Sequence, residues 1–337
     1  HTTSETRFLV WIEPAVAEAK LEPVLPTMKP GRLRAMGTIE LDGRIVPASE
    51  GLPDVDDIVQ IRTSKIGAMI ALRANGKLVS NLEPFSEMID AIAKFNRDHT
   101  ARHLGYMYYS AHGLVAIDVL GVPRPVFPDH PTHSNFPQPD EPVVDVMGSN
   151  LGGVMLTESG RAIPWGLYYT REEDRWDMPP DDLLTNVEEV ALGSYAFFVR
   201  KKSGEVVGWN GKQKILPPEE MRSGMQKIAM HFDSLAAIGP KGRLWRTHGV
   251  FRYTELFIKG EIEATNITNS NHGVGLLRTG TGIWQPTFDA DRPLMSPLLE
   301  KVATLEDYPE DAFVMGGDDG YQSRFLFWIE PKTAEAA

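Results

Sequence analysis

Three features of the 337-residue sequence predict an all-β protein of the β-propeller kind. Eight glycine-centred bends recur along it, paired apolar runs flank each bend, and the apolar residues of those runs fall on both parities. The bends lie at Gly43, Gly76, Gly121, Gly160, Gly204, Gly242, Gly282 and Gly320, in stretches such as AMIALRANGKLVS and GVMLTESGRAIPWG. Successive spacings are 33, 45, 39, 44, 38, 40 and 38 residues, close to 40 per unit with loop length as the scatter. A fixed period of this size is the mark of a repeat architecture.

Each bend reads as a hairpin, because glycine takes the positive φ of a tight turn without the cost other residues bear. The flanking strands, as in SYAFFV and GVMLT, do not alternate polar with apolar. Strict alternation marks a sheet wet on one face, so these strands are expected to be covered on both. A further run precedes each hairpin (VDDIVQI, PVVDVM, NVEEVAL, MQKIAM, IEATNIT) and supplies an inner strand. Small antiparallel sheets sandwiched between their neighbours describe a propeller. A β-helix would need shorter coils, and a pair of sandwiches would not keep one period along the chain. Seven blades are expected, with eight as the alternative count, since the short first interval reads as a truncated unit. One domain is expected over 1–337, with repeats from 20 to 330.

Residues 187–210, VEEVALGSYAFFVRKKSGEVVGWN, and the partner unit ending at Trp165-Gly166 resemble the RCC1-like repeat. The resemblance spans roughly 32–330, and its good matches are the two units within 143–210. It implies an RCC1-like propeller. That group includes the chromatin-bound exchange factor and the secreted β-lactamase-inhibitor propellers, which mostly bind proteins through loops on one face.

The two ends carry near-copies of one segment, RFLVWIEPAVAEA at 7–19 and RFLFWIEPKTAEA at 324–336. Trp328 follows Gly320 by eight residues, so the second copy is the return strand of a hairpin; the first has no hairpin before it. Propellers close by letting one terminus complete a blade begun by the other, which removes sheet edges. Two arrangements are open. The copies lie side by side in a closing blade, or one closes the ring while its twin adds to a neighbouring molecule. Closure within the molecule is expected, with 1–19 as an extra closing strand and 20–54 contributing; self-association through 7–19 or 324–336 is the alternative.

Extra length marks surface loops. FSEMIDAIAKFNRDH (85–99) sets Met88, Ile92 and Phe95 at helical spacing behind Ser86 as N-cap, predicting a short amphipathic helix whose stripe is core. VPRPVFPDHPTHSNFPQPDEP (122–142) is a proline-rich loop, extended in part. LYYTREEDRWDMPPDD (167–182) is a second excursion, aromatic and charged. Loops on a rigid scaffold commonly carry function, and aromatic anchors with arginine suit protein interfaces. Tyr168, Tyr169, Arg171, Arg175 and Trp176 are therefore the candidate contact residues.

The composition narrows the rest. Net charge is −12, from 34 basic and 46 acidic residues, which disfavours nucleic acid and anionic membrane as partners and suits a basic protein. The chain has no cysteine, so disulfides, thiolate catalysis and cysteine-ligated zinc are excluded. No apolar run approaches the roughly 18 residues of a membrane helix. Opening on His1, the chain reads as a processed or trimmed product; its compartment is open, with secretion or the cell surface the working expectation. Asp129, His130 and His133 form a weak ligand set in the proline-rich loop; His99 and His103 would share a helix face but lack a third ligand. Asp318 and Asp319 suit a turn. No Gly-x-Ser-x-Gly elbow, P-loop or dinucleotide fingerprint occurs, and GVGLLRTGTG (273–282) belongs to a hairpin by phase. Neither a metal nor a cofactor is expected. A non-enzymatic, protein-binding propeller acting through loops on one face is the leading expectation. The alternatives are a hydrolase or lyase with its site at the propeller axis, and a structural protein assembling by end-strand exchange.

Overall fold

A computed structural model describes residues 29–41, 44–64, 68–81, 86–108, 111–133, 136–149, 152–166, 177–193, 196–231, 234–247, 256–263, 266–267, 277–279, 282–284, 313–318 and 323–331. Among these residues the strands form six hydrogen-bonded sheets, strung largely in chain order. Four follow the repeat directly. Ala101–Leu104, Val115–Asp118 and Pro123–Pro125 make one sheet, so the head of the proline-rich loop serves as a return strand. Val187–Leu192, Phe197–Lys201, Val206–Trp209 and Lys214–Ile215 make another. Lys227–His231, Ser234–Ile238, Arg243–Thr247 and Leu256–Glu263 follow, then the short trio Asn266–Ile267, Leu277–Thr279 and Gly282–Trp284. In the sheet of Val143–Ser149, Gly152–Thr157 and Ala162–Gly166, the strand Tyr106–Tyr108 crosses from the preceding unit and pairs parallel to the first strand.

The seven-stranded sheet joins the two ends of the chain. Phe313–Asp318, Ser323–Pro331, Gly31–Leu41 and Arg44–Pro47 pair antiparallel in that order. The single Gly31–Ile58 pair links this group to Ile58–Thr63, Met69–Arg73 and Leu78–Ser80. Residues 7–19, expected as an extra closing strand, lie outside the described residues, as do Gly43 and Gly320.

Four bends share one construction. The N–H groups of Gly76, Gly121, Gly160 and Gly204 donate to the carbonyls three residues back, on Arg73, Asp118, Thr157 and Lys201. Those four residues in turn donate to the carbonyls of Lys77, Val122, Arg161 and Glu205. With glycine φ between 78° and 90°, this is the three-residue hairpin loop closed by a left-handed glycine. The left-handed residue turns its carbonyl away from its own hairpin, toward the next unit. Ala101 N–H donates to Gly76 O (2.8 Å), Val143 to Gly121 O (2.9 Å), Val187 to Gly160 O (2.7 Å) and Met225 to Gly204 O (3.1 Å). Each of these four bends is therefore stitched to the following unit, at or just before its inner strand. Space is as tight as conformation: a Cβ on Gly160 would lie 2.7 Å from Val187 O, and one on Gly76 2.7 Å from Ala101 O.

Double-sided burial of the strands follows from the same stacking. On Met69–Leu72, Ile70 and Leu72 pack toward Leu104 and Met107 of the next unit, while Met69 and Ala71 pack toward Leu33 and Phe325, on the strands Gly31–Leu41 and Ser323–Pro331. Phe197 and Val199 meet Val154 and Leu156 of the preceding unit; Phe198 meets Met230 and Leu235 of the following one. The helix Ser86–Asp98 buries Ile92 and Phe95 in the first of these clusters, with Met88 against it, as its stripe predicts.

The close stitch predicts unequal costs at two left-handed glycines. Gly51→Ala, where the nearest atom to a new Cβ is Asn81 O at 3.7 Å, is expected to lose about 1 kcal/mol from the strained φ alone. Gly160→Ala adds a steric clash and a broken inter-sheet hydrogen bond, and is expected to lose roughly 3 kcal/mol. Urea unfolding of the two variants checks this; equal losses would remove the stitch from its structural role.

Candidate functional site

The excursions between units leave from the ends of return strands and come back to the next inner strand. Two tryptophans on return strands hold them. Trp165 lies within a ring cluster with His133 and Phe136 of the proline-rich loop, at centroid distances of 6.4 and 5.2 Å. Trp209 donates its indole N–H to Asp177 O (2.9 Å), and Asp177 N–H donates to Gly211 O (2.6 Å). Each tryptophan pins the excursion that leads into its own unit. Lysines secure helical turns in two of the connections. Lys201 Nζ donates to the carbonyls of Asp182, Leu183 and Thr185 around the turn Asp181–Leu184, and Lys77 Nζ to those of Asn96 and His99 at the end of the longer helix. An ammonium at a helix C-terminus satisfies orphan carbonyls and the helix dipole together.

The five candidate contact residues, Tyr168, Tyr169, Arg171, Arg175 and Trp176, lie outside the described residues. The feet of their excursion are described. It leaves from Gly166 (φ 62°) at the end of one return strand and re-enters at Asp177, pinned to the next. Beside that foot, Met178 is 71% exposed, and Leu216 on the neighbouring connection is 45% exposed.

The weak ligand set of the proline-rich loop is drawn into loop docking. His130 stacks face to face on His112 (4.5 Å, 14°), and its Nδ1 meets Thr132 Oγ1 at 2.8 Å. His133 Nε2 donates to His112 O (2.9 Å), leaving Nδ1 buried without a hydrogen-bond partner. His130 and His133 thus both engage His112, one through its ring and the other through its carbonyl. Asp129 instead lines an open cleft of about 420 Å³ between the loop and the helix, floored by Phe95 and Val126 and flanked by Asp90, Lys94 and Arg97. His99 lines the same cleft, whereas His103 sits on a strand, so the shared helix face expected for that pair does not form.

Sequence reading missed a polar series on the inner strands. Gln60, His103, Asp145 and Glu189 each occupy the third position of their strand, directly after a β-bulge at the second. Gln60 Nε2 donates to Leu104 O and lies 3.2 Å from His103 Nδ1, while Leu104 N–H donates to Gln60 Oε1. His103 Nε2 lies 3.6 Å from Asp145 Oδ1 of the next sheet, beyond hydrogen-bond distance. Gln60 thus couples its own sheet to the next. Glu189 continues the theme, accepting from Ile228 N–H of the next sheet (2.9 Å) and from Arg200 Nε (3.0 Å). Burial pushes its carboxyl above the ordinary value, against the pull of Arg200 and the Ile228 amide. Counted back from their bends the four lie 16, 18, 15 and 15 residues away, so no fixed spacing in the sequence announces the shared position.

No family model and no curated protein matches the sequence. Solved structures match in fold. Yeast RCC1 (Prp20) bound to Kap60 aligns with 98% of this chain and 96% of its own at 12% identity, TM-score 0.54. Prp20p from Saccharomyces cerevisiae, in a structure reported with its binding to Gsp1p and histones, aligns with 93% of this chain and 94% of its own, again at 12% and 0.54. The fold is an RCC1-like β-propeller. Its blades are the stitched sheets, and the bulged polar residues lie on the first strands of the blades.

Acid is expected to loosen the propeller's proline-rich loop. Burial pushes the His130 and His133 imidazoles below the ordinary histidine value, so the docked state holds them neutral. A depressed histidine leaves its docking contribution intact above that value, about 6.5, and withdraws it as pH falls below. Amide exchange over 126–136, corrected for intrinsic rates, should therefore quicken between pH 7.5 and 5.5. His130→Phe, which keeps a ring on His112 without the charge, should flatten that dependence; an unchanged profile would exclude His130 as its source.

Proposed function

We propose that this propeller binds another protein through the face carrying the 167–176 excursion, with Tyr168, Tyr169, Arg171, Arg175 and Trp176 as contacts. The observation that carries the reading is the fixing of both feet of that excursion on adjacent blades, at Gly166 and at Asp177 under the Trp209 indole. A loop rich in aromatic and arginine side chains, rooted at both ends on a rigid scaffold, loses less freedom on binding than a free one. The exposed Met178 beside the second foot extends the apolar part of the surface. A net charge of −12 favours a basic partner, steered by long-range attraction. The fold neighbours support the general mode only: one is bound to Kap60, and the other is reported with its binding to Gsp1p and histones.

The test is capture by the tagged full chain, identification of the retained protein by mass spectrometry, and titration of that purified partner. Tyr169→Ala with Trp176→Ala is expected to weaken binding by roughly 30-fold, the value of a central aromatic anchor, with the unfolding midpoint unchanged. Wild-type affinity should also fall as salt is raised, as charge attraction is screened. Undiminished affinity in the double variant would overturn the proposed surface.

A further inference from the structure

The strand Ser323–Pro331 fills a slot in the closing blade between Phe313–Asp318 and Gly31–Leu41. Its register runs from Gly31 opposite Pro331 to Thr38 opposite Arg324. The slot selects its occupant by four features. One face, Phe325, Phe327 and Ile329, joins a cluster with Leu33, Ile39, Ile58 and Met69. The other face buries Leu326 and Trp328. Glu330 accepts from Arg34 Nε at 2.8 Å. Gly31 lies so close to the strand that a Cβ there would meet Glu330 O at 2.2 Å.

The sequence contains a second segment that meets all four. Residues 7–14, RFLVWIEP, match 324–331, RFLFWIEP, at every position but one. Phe8, Val10 and Ile12 would supply the first face, Leu9 and Trp11 the second, and Glu13 the carboxylate for Arg34. Backbone pairing is indifferent to sequence. The single change sets Val10 where Phe327 stands, removing the Phe325–Phe327 ring contact (5.4 Å) and leaving a void. The C-terminal copy is thus the better occupant, as the structure has it, and the N-terminal copy the weaker.

We propose that the closing blade is a slot with two occupants from one chain, in which residues 7–14 pair with 31–38 as a stand-in until 324–331 arrives. Reach and chain order favour the same molecule over a second copy. In the shared register Pro14 would face Gly31, leaving residues 15–30 as the connection, and a tether of that length holds the segment at millimolar effective concentration. Residues 42–312 separate the strand Gly31–Leu41 from the C-terminal hairpin, so during synthesis that strand waits for its partner with an open edge. Open apolar edges template aggregation, and a local stand-in covers this one.

The cysteine-free chain makes the test direct. Arg32 and Glu330 face each other in register, so Arg32→Cys with Glu330→Cys reports the C-terminal occupant, and Arg32→Cys with Glu13→Cys the stand-in. On oxidative refolding of the full chain, the Arg32–Glu13 reporter should form an intrachain disulfide before the Arg32–Glu330 reporter does. At equilibrium, Phe325→Asp with Phe327→Asp unseats the C-terminal copy. That variant should keep a cooperative unfolding transition and trap the Arg32–Glu13 disulfide, and should lose the transition when 1–19 is also deleted. Deleting 1–19 alone should leave the melting temperature in place but lower refolding yield several-fold. An Arg32–Glu13 disulfide that never forms, or forms only between molecules as a covalent dimer, overturns the proposal; so does a double-aspartate variant equally unfolded with and without 1–19.

Discussion

A carbonyl turned outward by a left-handed glycine is the contact on which the rest of this propeller depends. The bend that lets each hairpin reverse also presents an acceptor to the next inner strand, and the N–H groups of Ala101, Val143, Val187 and Met225 take it up. One residue type thereby serves local chain reversal and blade-to-blade spacing together. The apolar clusters follow from that spacing. Once adjacent sheets are fixed at their bends, strands such as Gly152–Thr157 and Ser234–Ile238 have no face left for water, and every position on them is buried.

The inner strands add a second, polar layer of coupling. Bulges at one repeated position re-aim Gln60 and Glu189 toward the following blade, where each meets a backbone partner. Such groups cost desolvation, and they are retained where partners satisfy them; Gln60 uses both ends of its amide on Leu104. They fix registry between blades in a way that apolar contact, which tolerates sliding, does not.

Surface excursions are rooted in the same scaffold. Trp165 and Trp209 stand at matching places on successive return strands and each restrains the excursion entering its blade, while Lys77 and Lys201 fasten helical turns through their carbonyls. The long, chemically varied loops of this chain are therefore held at their feet by the parts that repeat. Variation is carried where the scaffold does not depend on it.

The sequence by itself determined the bends at Gly76, Gly121, Gly160 and Gly204, the inner strands before them and the double-sided burial, because each is a local requirement. Positive φ needs glycine at Gly76 or Gly160, and a strand between two neighbours needs apolar residues on both parities. The amphipathic helix over Ser86–Asp98 was legible for the same reason, in the stripe of Met88, Ile92 and Phe95. Only the tertiary structure decided what depends on residues distant along the chain. His103 was read as a helical neighbour of His99, yet its partners are Gln60 and Asp145, each more than forty positions away or on another sheet. His130 and His133 made only a weak ligand set in the sequence, and it is the fold that sets both against His112. Likewise the repeated ends announced a closing strand, but that Gly31–Leu41 receives it, in which register and on which side is set by pairing across the whole chain. A one-dimensional pattern records what each position must be; which distant position it meets is fixed only when the ring closes.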